Sequence, residues 1–395
     1  NESGCGNALN TDQPAVLQLI MDCLRFWACD MGVDGFRFDL ASVLSRRNGV
    51  FDSGHAIWAS IMQDPVLRER KWIVEPWDIG HGGYQLGHYP EGFSEWNDLF
   101  RDNLRRYVRG EEGQLGNFAK RFAGSWDVFR KAGTGARASI NFVTAHDGFT
   151  LRDLVSYNTK HNEANGEHNR DGAHENFSDN GGVEGDTGDA LIMRNRLRQQ
   201  CNFIALLGWA QGVPMLLHGD EGGRTQHGNN NAYCQDNAVA WCVWPLPQPA
   251  LRDFTAEVLR LRRYFQLGHV YLLHHSLWQQ INHRFHFYRP DGHRMSYDDW
   301  MQSYARSICI EIHAPQQRVL LLVNMHSEPV IFSLPAVQDQ REWQRFLDTD
   351  QFADTLMCSH AAFIGPSLNS LEYRLAESSV ALLAETNPIS SARRN

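Results

Sequence analysis

Positions 32–39, Gly-Val-Asp-Gly-Phe-Arg-Phe-Asp, constrain this chain more than any other stretch. Val33, Phe36 and Phe38 spell a short apolar strand bounded by turn formers. Arg37 and Asp39 interrupt it at alternate positions, so both side chains project from one face. Such a pair is costly on an inner strand of a parallel sheet unless that face opens on a polar cavity. The mouth at the C-terminal edge of a parallel barrel is one such cavity, and active sites sit there. A structural Arg–Asp pair, or Asp39 capping the next helix, remains the alternative on this motif alone.

Two further strand-plus-acid segments follow. Lys71–Trp77 is apolar up to Glu75, and Pro76 then blocks further pairing. Ser139–Thr144 is a strand leading to His146 and Asp147 before Gly148. Three acidic strand ends separated by helix-length sequence predict carboxylates at one mouth. Paired carboxylates are what glycoside hydrolysis requires, one to protonate the leaving oxygen and one to attack or stabilise the anomeric carbon.

These segments resemble a known family. GFRFD, VEPWD and FVTAHDG are similar to the second, third and fourth signature regions of the α-amylase family, glycoside hydrolase family 13. SGCGNALN at 3–10, DGFRFDLASVLSR at 34–46, TLRDLVSYNTKHNEANGEHNRDG at 150–172 and GVPMLLHGDEGGRTQHGNNNAYCQDN at 212–237 resemble its glycogen debranching and isoamylase branch. The resemblance runs from residue 3 to about 385. It implies an α/β fold: strands four to eight of a (β/α)8 barrel, then a small antiparallel β-sandwich.

The expected organisation is a partial catalytic barrel over 1–268, a linking segment over 269–307, a β-sandwich over 308–385 and a tail over 386–395. Barrel strands are expected at 33–39, 71–75, 94–98, 139–144 and 213–217. Helices are expected from Asp12 and Pro14, the first as cap, near Leu40, around 101–109, at Ala190–Leu207 and at Thr255–Leu267. In the first helix Val16, Leu17, Ile20, Leu24 and Trp27 form the apolar face. Sandwich strands are expected at 308–312, 319–323, 330–334 and 379–383. SGCGN is a mid-protein motif in the family, so an N-terminal sandwich, strands one to three and the first signature region with its Asp and His are expected to lie outside this sequence. A closed barrel is then not expected from these residues alone.

The resemblance also implies roles. Asp39 is the nucleophile, Glu75 the general acid/base, and Asp147 grips hydroxyls of the distorted sugar. Arg37 orients Asp39, and His146 binds the same sugar. Trp77 and Tyr157 are expected as walls of the sugar subsites, with core packing the other reading of each. Trp27 and Trp58 read as core. Asp220 and Glu221 are expected to shape the substrate mouth.

Other signals exclude function classes. The formal charge of −9 argues against nucleic-acid and anionic-membrane partners. It suits glycogen, limit dextrin or branched malto-oligosaccharides. No apolar run approaches a membrane span. The 8 cysteines show no C-x-x-C spacing and read as reduced thiols, and the first residues are polar; both favour the cytoplasm. No cofactor and no metal are expected. The loop at 80–84 lacks the lysine of a phosphate loop. His161, Glu163, His168, Asp171, His174 and Glu175 fit no zinc template and read as a polar lid. The predicted activity is retaining hydrolysis of α-1,6 branch linkages. An α-1,4-acting hydrolase or transferase of the same family, or a non-catalytic glucan-binding subunit or inactive fragment, is the alternative.

Overall fold

The computed structural model describes residues 2–129, 135–267, 284–314, 317–338, 340–356, 365, 367, 368 and 370–387. Of the predicted link over 269–307, residues 269–283 lie outside the described residues, as does most of the predicted tail. The chain divides into two compact units, Asn1–Asp98 with Gly124–Asn141, and Leu99–Ala123 with Phe142–Asn395.

In the first unit, helix α1 (Pro14–Cys29) begins on its proline, whose missing N–H costs nothing there. Asp12 does not cap it: Gln13 is the cap residue, and Asp12 instead faces His55 Nε2 at 3.1 Å. The buried stripe of α1 is Met21, Leu24 and Ala28, flanked by Leu17 and Ile20. Trp27 lies off it and is 50% exposed, so its reading as core is corrected.

Strand β1 (Gly35–Phe38) is followed by a short 3-10 turn, Ala41–Ser45, where a helix was predicted. A hairpin comes next, β2 (Arg46–Arg47) and β3 (Val50–Phe51). Its turn is Asn48-Gly49, both at positive φ (51° and 80°), which suits the twist of paired strands. Helix α2 (Ala56–Gln63) then leads to β4 (Lys71–Val74), β5 (Phe93–Asn97) and β6 (Ser139–Phe142).

β1, β4, β5 and β6 pair in parallel. Gly35 lies opposite Lys71, where a Cβ would stand 2.5 Å from the lysine carbonyl oxygen, so the close approach of the strands requires glycine. The core beneath is aromatic. Trp58, Trp72, Tyr89 and Phe93 are buried together with Phe36 and Phe38 against them.

In the second unit, helices α3 (Asp98–Val108), α4 (Leu115–Phe122), α5 (Leu151–Leu154), α6 (Ala190–Trp209) and α7 (Pro249–Tyr264) accompany strand β7 (Val213–Met215). Asp189 caps α6, accepting from the backbone N–H groups of Leu191 and Ile192. α7 begins at Pro249, six residues before the expected start, because a proline is admissible in the first turn.

The remaining strands are β8 (Phe285–Tyr288), β9 (Ser307–His313), β10 (Arg318–Asn324), β11 (Val330–Ser333), β12 (Glu342–Asp348), β13 (Glu372–Leu375) and β14 (Ser379–Thr386). They form a five-stranded antiparallel sheet, order β12-β14-β10-β9-β8, and a β11-β13 pair. Leu320, Leu322, Phe332, Trp343, Leu375 and Leu383 build the core they share. β8, β12 and β13 were not predicted. β8 lies in the stretch read as a link, and β12 carries a bulge between Arg345 and Leu347 that breaks its alternation.

The C-terminal half of α6 is buried almost all round, since sheet residues pack on it as well as α7. Two polar residues of α6 find partners there. Arg198 bonds Asp350 at 2.7 Å and Glu377 at 3.0 Å, and Asn202 donates to the Ser378 carbonyl at 2.7 Å. No helix among the described residues is long and apolar enough to cross a membrane.

Candidate active site

The first unit brings Arg37, Asp39 and Glu75 together. β1 and β4 are in register with Phe38 opposite Val74, so Asp39 and Glu75 follow the ladder side by side. The backbone pairing continues past the strands. Glu75 N–H donates to the Phe38 carbonyl at 3.0 Å, and Ala41 N–H to the Glu75 carbonyl at 3.0 Å.

One guanidinium then holds both acids. Arg37 Nη1 lies 2.5 Å from Asp39 Oδ1 and Nη2 lies 3.2 Å from Glu75 Oε2. The guanidinium stacks 4.2 Å above the Trp96 ring, which fixes its plane. Leu40 N–H donates to Glu75 Oε2 at 2.7 Å from a left-handed backbone (φ 40°, ψ 51°).

The two carboxyls have different surroundings. The Asp39 side chain is 70% exposed and that of Glu75 8%. Burial raises the Glu75 pKa above the ordinary carboxylate value; the Leu40 N–H and the Arg37 charge oppose this, and the Asp39 charge reinforces it. An acid kept protonated beside an exposed carboxylate can donate a proton while its neighbour attacks.

The segment after Glu75 is fixed by charge. Arg46 grips the buried Asp78 through Nη2 at 2.7 Å and Nε at 3.0 Å. Gly80 and Gly83 close on that carboxylate: a Cβ on Gly83 would stand 2.3 Å from Asp78 Oδ1 and one on Gly80 3.1 Å. Trp77, next to the acid, is half-buried.

In the second unit His146 and Asp147 are adjacent and exposed, His146 Nε2 lying 3.4 Å from Asp147 Oδ2. The backbone around them is pinned from beneath. Arg105 is buried and donates to the Val143 carbonyl at 2.9 and 2.6 Å and to the Asn176 carbonyl at 3.0 Å. Asp220 is also buried, so it acts on the turn from beneath rather than from an exposed surface. It accepts from the Thr144 hydroxyl and from Leu151 N–H at 2.9 Å, which ties both ends of the 144–151 turn. Burial pushes its pKa up to about 7.

Tyr157 is 9% exposed and packs on Phe149 and His161, so it supports the loop from inside rather than presenting a surface. Two segments singled out separately in the sequence are joined here. Asn162 Nδ2 donates to Asn230 Oδ1 at 2.9 Å, Asn230 N–H returns the bond to Asn162 Oδ1 at 2.9 Å, and Asn231 Nδ2 reaches Asp171 Oδ2 at 2.8 Å. Sequence reasoning missed these asparagines, although the Asn229-Asn230-Asn231 run was visible. It also missed Glu184, which accepts from the N–H groups of Asn158 and Thr159 at 2.8 and 3.0 Å and from Asn180 Nδ2 at 2.8 Å. His161, from the polar lid, contacts Glu184 at 3.1 Å.

Comparison with known proteins extends this picture. The chain is 45% identical over 345 residues to the glycogen debranching enzyme of Serratia proteamaculans (strain 568), covering 87% of this chain and 50% of that protein. It is 44% identical over 372 residues to a glycogen operon protein GlgX homolog of Mycobacterium bovis (strain ATCC BAA-935 / AF2122/97), covering 88% and 51%. The chain spans about half the length of the curated relatives it matches. No family model matches it. Among solved structures it is similar to pullulanase from Bacillus acidopullulyticus, with TM-score 0.71 at 19% identity over 97% of this chain and 42% of that one. The catalytic module of the glycogen-degrading pneumococcal virulence factor SpuA gives TM-score 0.67 at 15% identity over 98% and 57%. At such identities the likeness speaks for the fold.

Proposed function

We propose, on the premise that this chain belongs to the family of the glycogen debranching enzymes it matches over 87% of its length, that the protein carrying it hydrolyses α-1,6 branch linkages with retention. The observation that carries this reading is the Arg37-bridged pair, an exposed Asp39 beside a buried Glu75. Glu75 protonates the glycosidic oxygen as Asp39 attacks the anomeric carbon, forming a covalent glycosyl ester and releasing the chain. Glu75, now ionised, takes a proton from water, which attacks the same carbon and frees Asp39. Arg37 orients Asp39. The family resemblance assigns Asp147 and His146 to sugar binding, and Trp77 beside Glu75 supplies an apolar face.

The parallel strands fit strands four to eight of a (β/α)8 barrel spanning 1–268, and the antiparallel sheets fit a β-sandwich over 308–385, to which β8 adds an edge. Glycogen, limit dextrin and branched malto-oligosaccharides are the substrates this reading names. The described cysteines are free thiols, which supports a cytoplasmic setting. The test is product analysis of the protein carrying this sequence on phosphorylase-trimmed glycogen and on linear amylose. Release of short linear chains with retained anomeric configuration, and little action on amylose, is expected. Inversion, or equal turnover of amylose, overturns the reading.

A further inference from the structure

β8 and β9 pair antiparallel with His286 opposite Glu311. His313 lies two residues beyond Glu311 and Tyr288 two beyond His286, so all four side chains rise from one face of the sheet. The donor atoms of His286, Glu311 and His313 lie close together. His286 Nδ1 is 3.2 Å from His313 Nε2 and 3.4 Å from Glu311 Oε2, and His313 Nε2 is 3.5 Å from Glu311 Oε1. A tetrahedral zinc ion with bonds of about 2.0–2.1 Å places neighbouring donor atoms about 3.3–3.4 Å apart. The three contacts match that spacing, with Glu311 turning Oε2 to His286 and Oε1 to His313, and one donor atom from each residue lies within 4.8 Å of the others.

We propose that His286, Glu311 and His313 bind a divalent cation of the zinc class. Two imidazoles and one carboxylate are a zinc donor set, and a fourth position is open to water beside the exposed His313. Among the described residues no other group of histidine, cysteine or acidic donors gathers this closely. The carboxylate is already aimed. Tyr288 donates its hydroxyl to Glu311 Oε2 at 2.7 Å, and Arg318 Nη1 reaches Oε1 at 3.2 Å, the outer contacts that orient a metal-binding carboxylate.

The charge balance permits a cation. Arg318 is chiefly engaged with the buried Glu385, at 2.8 and 3.2 Å, and Arg294 lies over the Tyr288 ring at 5.9 Å. Among the described residues β8 is the outer strand of its sheet, so the metal fastens that strand to its neighbour.

The test strips the protein carrying this sequence with chelator and titrates it with zinc chloride by calorimetry and with cobalt(II) by visible absorption. Saturation at one equivalent per chain, tetrahedral cobalt bands and a raised thermal midpoint are expected. His286→Asn and His313→Asn each abolish that equivalent, and Tyr288→Phe weakens it about 10–100-fold. His313 is exposed, so His313→Asn keeps its metal-free melt and decides the matter should His286→Asn fail to fold. Absence of saturable binding in the unaltered protein, or an equivalent that survives His313→Asn, overturns the proposal.

Discussion

Glu75 in the first unit and Asp220 in the second are both buried carboxyls held above the ordinary range chiefly by burial. They differ in what surrounds them. Both Asp220 oxygens are occupied by fixed donors, Thr144 on one and Leu151 N–H on the other. The contacts of Arg37 and Leu40 converge on a single Glu75 oxygen, and the carboxyl faces the exposed Asp39. Burial alone therefore makes a weak acid of either group, and only an open partner makes that acid usable. Two pKa shifts in the same direction describe a catalytic candidate in one place and a structural clasp in the other.

Substitutions test the contrast directly. Glu75→Gln is expected to lower kcat/KM on limit dextrin by about 10²–10⁴-fold with an unchanged melt, the range for a lost general acid. Asp220→Ala is expected to do the reverse. It leaves Leu151 N–H and the Thr144 hydroxyl without their acceptor, at a cost of about 1–3 kcal/mol each, read by denaturant midpoint. An Asp220→Ala protein with full stability and no activity would break the distinction.

The pH dependence of stability sharpens it further. The folded Asp220 pKa, about 7 against 3.8, means the native state holds an extra proton between these values. Its contribution to stability therefore falls as pH rises from about 4 to about 7 and then levels. Glu184 has the opposite sign. Burial would raise it, but hydrogen bonds from Asn158, Asn180 and Thr159 outweigh that and hold it at about 2 against 4.5. Its contribution is complete above about 4.5 and is lost as pH falls toward 2. Denaturant midpoints of Asp220→Asn and Glu184→Gln between pH 3 and 8 should diverge from the unaltered protein in these two windows. The smallest effect concerns the catalytic pair itself. Asp39→Asn removes a charge that raises Glu75, so the carboxyl titration of Glu75, followed by NMR, should move to lower pH.

Much of the first unit was legible because its strands are short, apolar and parallel. Gly35–Phe38 and Lys71–Val74 stop just before the acids that the pattern singled out. The 46–51 hairpin was equally legible from Asn48-Gly49 but went unread. Asp12 misled because a good cap residue was taken by His55, a partner 43 positions away. Trp27 misled because α1 buries the Met21–Leu24–Ala28 stripe instead. In the second unit β12 and β13 were hidden by polar side chains that only tertiary partners satisfy, as Tyr373 does by donating to Asp348 at 2.5 Å. The Asn162–Asn230 pairing spans 68 positions, so no local pattern could announce it.

Leu40 has a consequence for anyone reshaping this protein. Its φ of 40° is a conformation that glycine adopts freely and leucine does not, at a cost on the order of 1–3 kcal/mol. A search for sturdier variants would therefore rank Leu40→Gly among its first choices. Yet the amide at this position aims at Glu75 Oε2, and the leucine side chain narrows the range over which that amide can swing. Residue 40 is thus a point where robustness and catalytic alignment are in direct competition, and a stability screen blind to turnover would choose the wrong side.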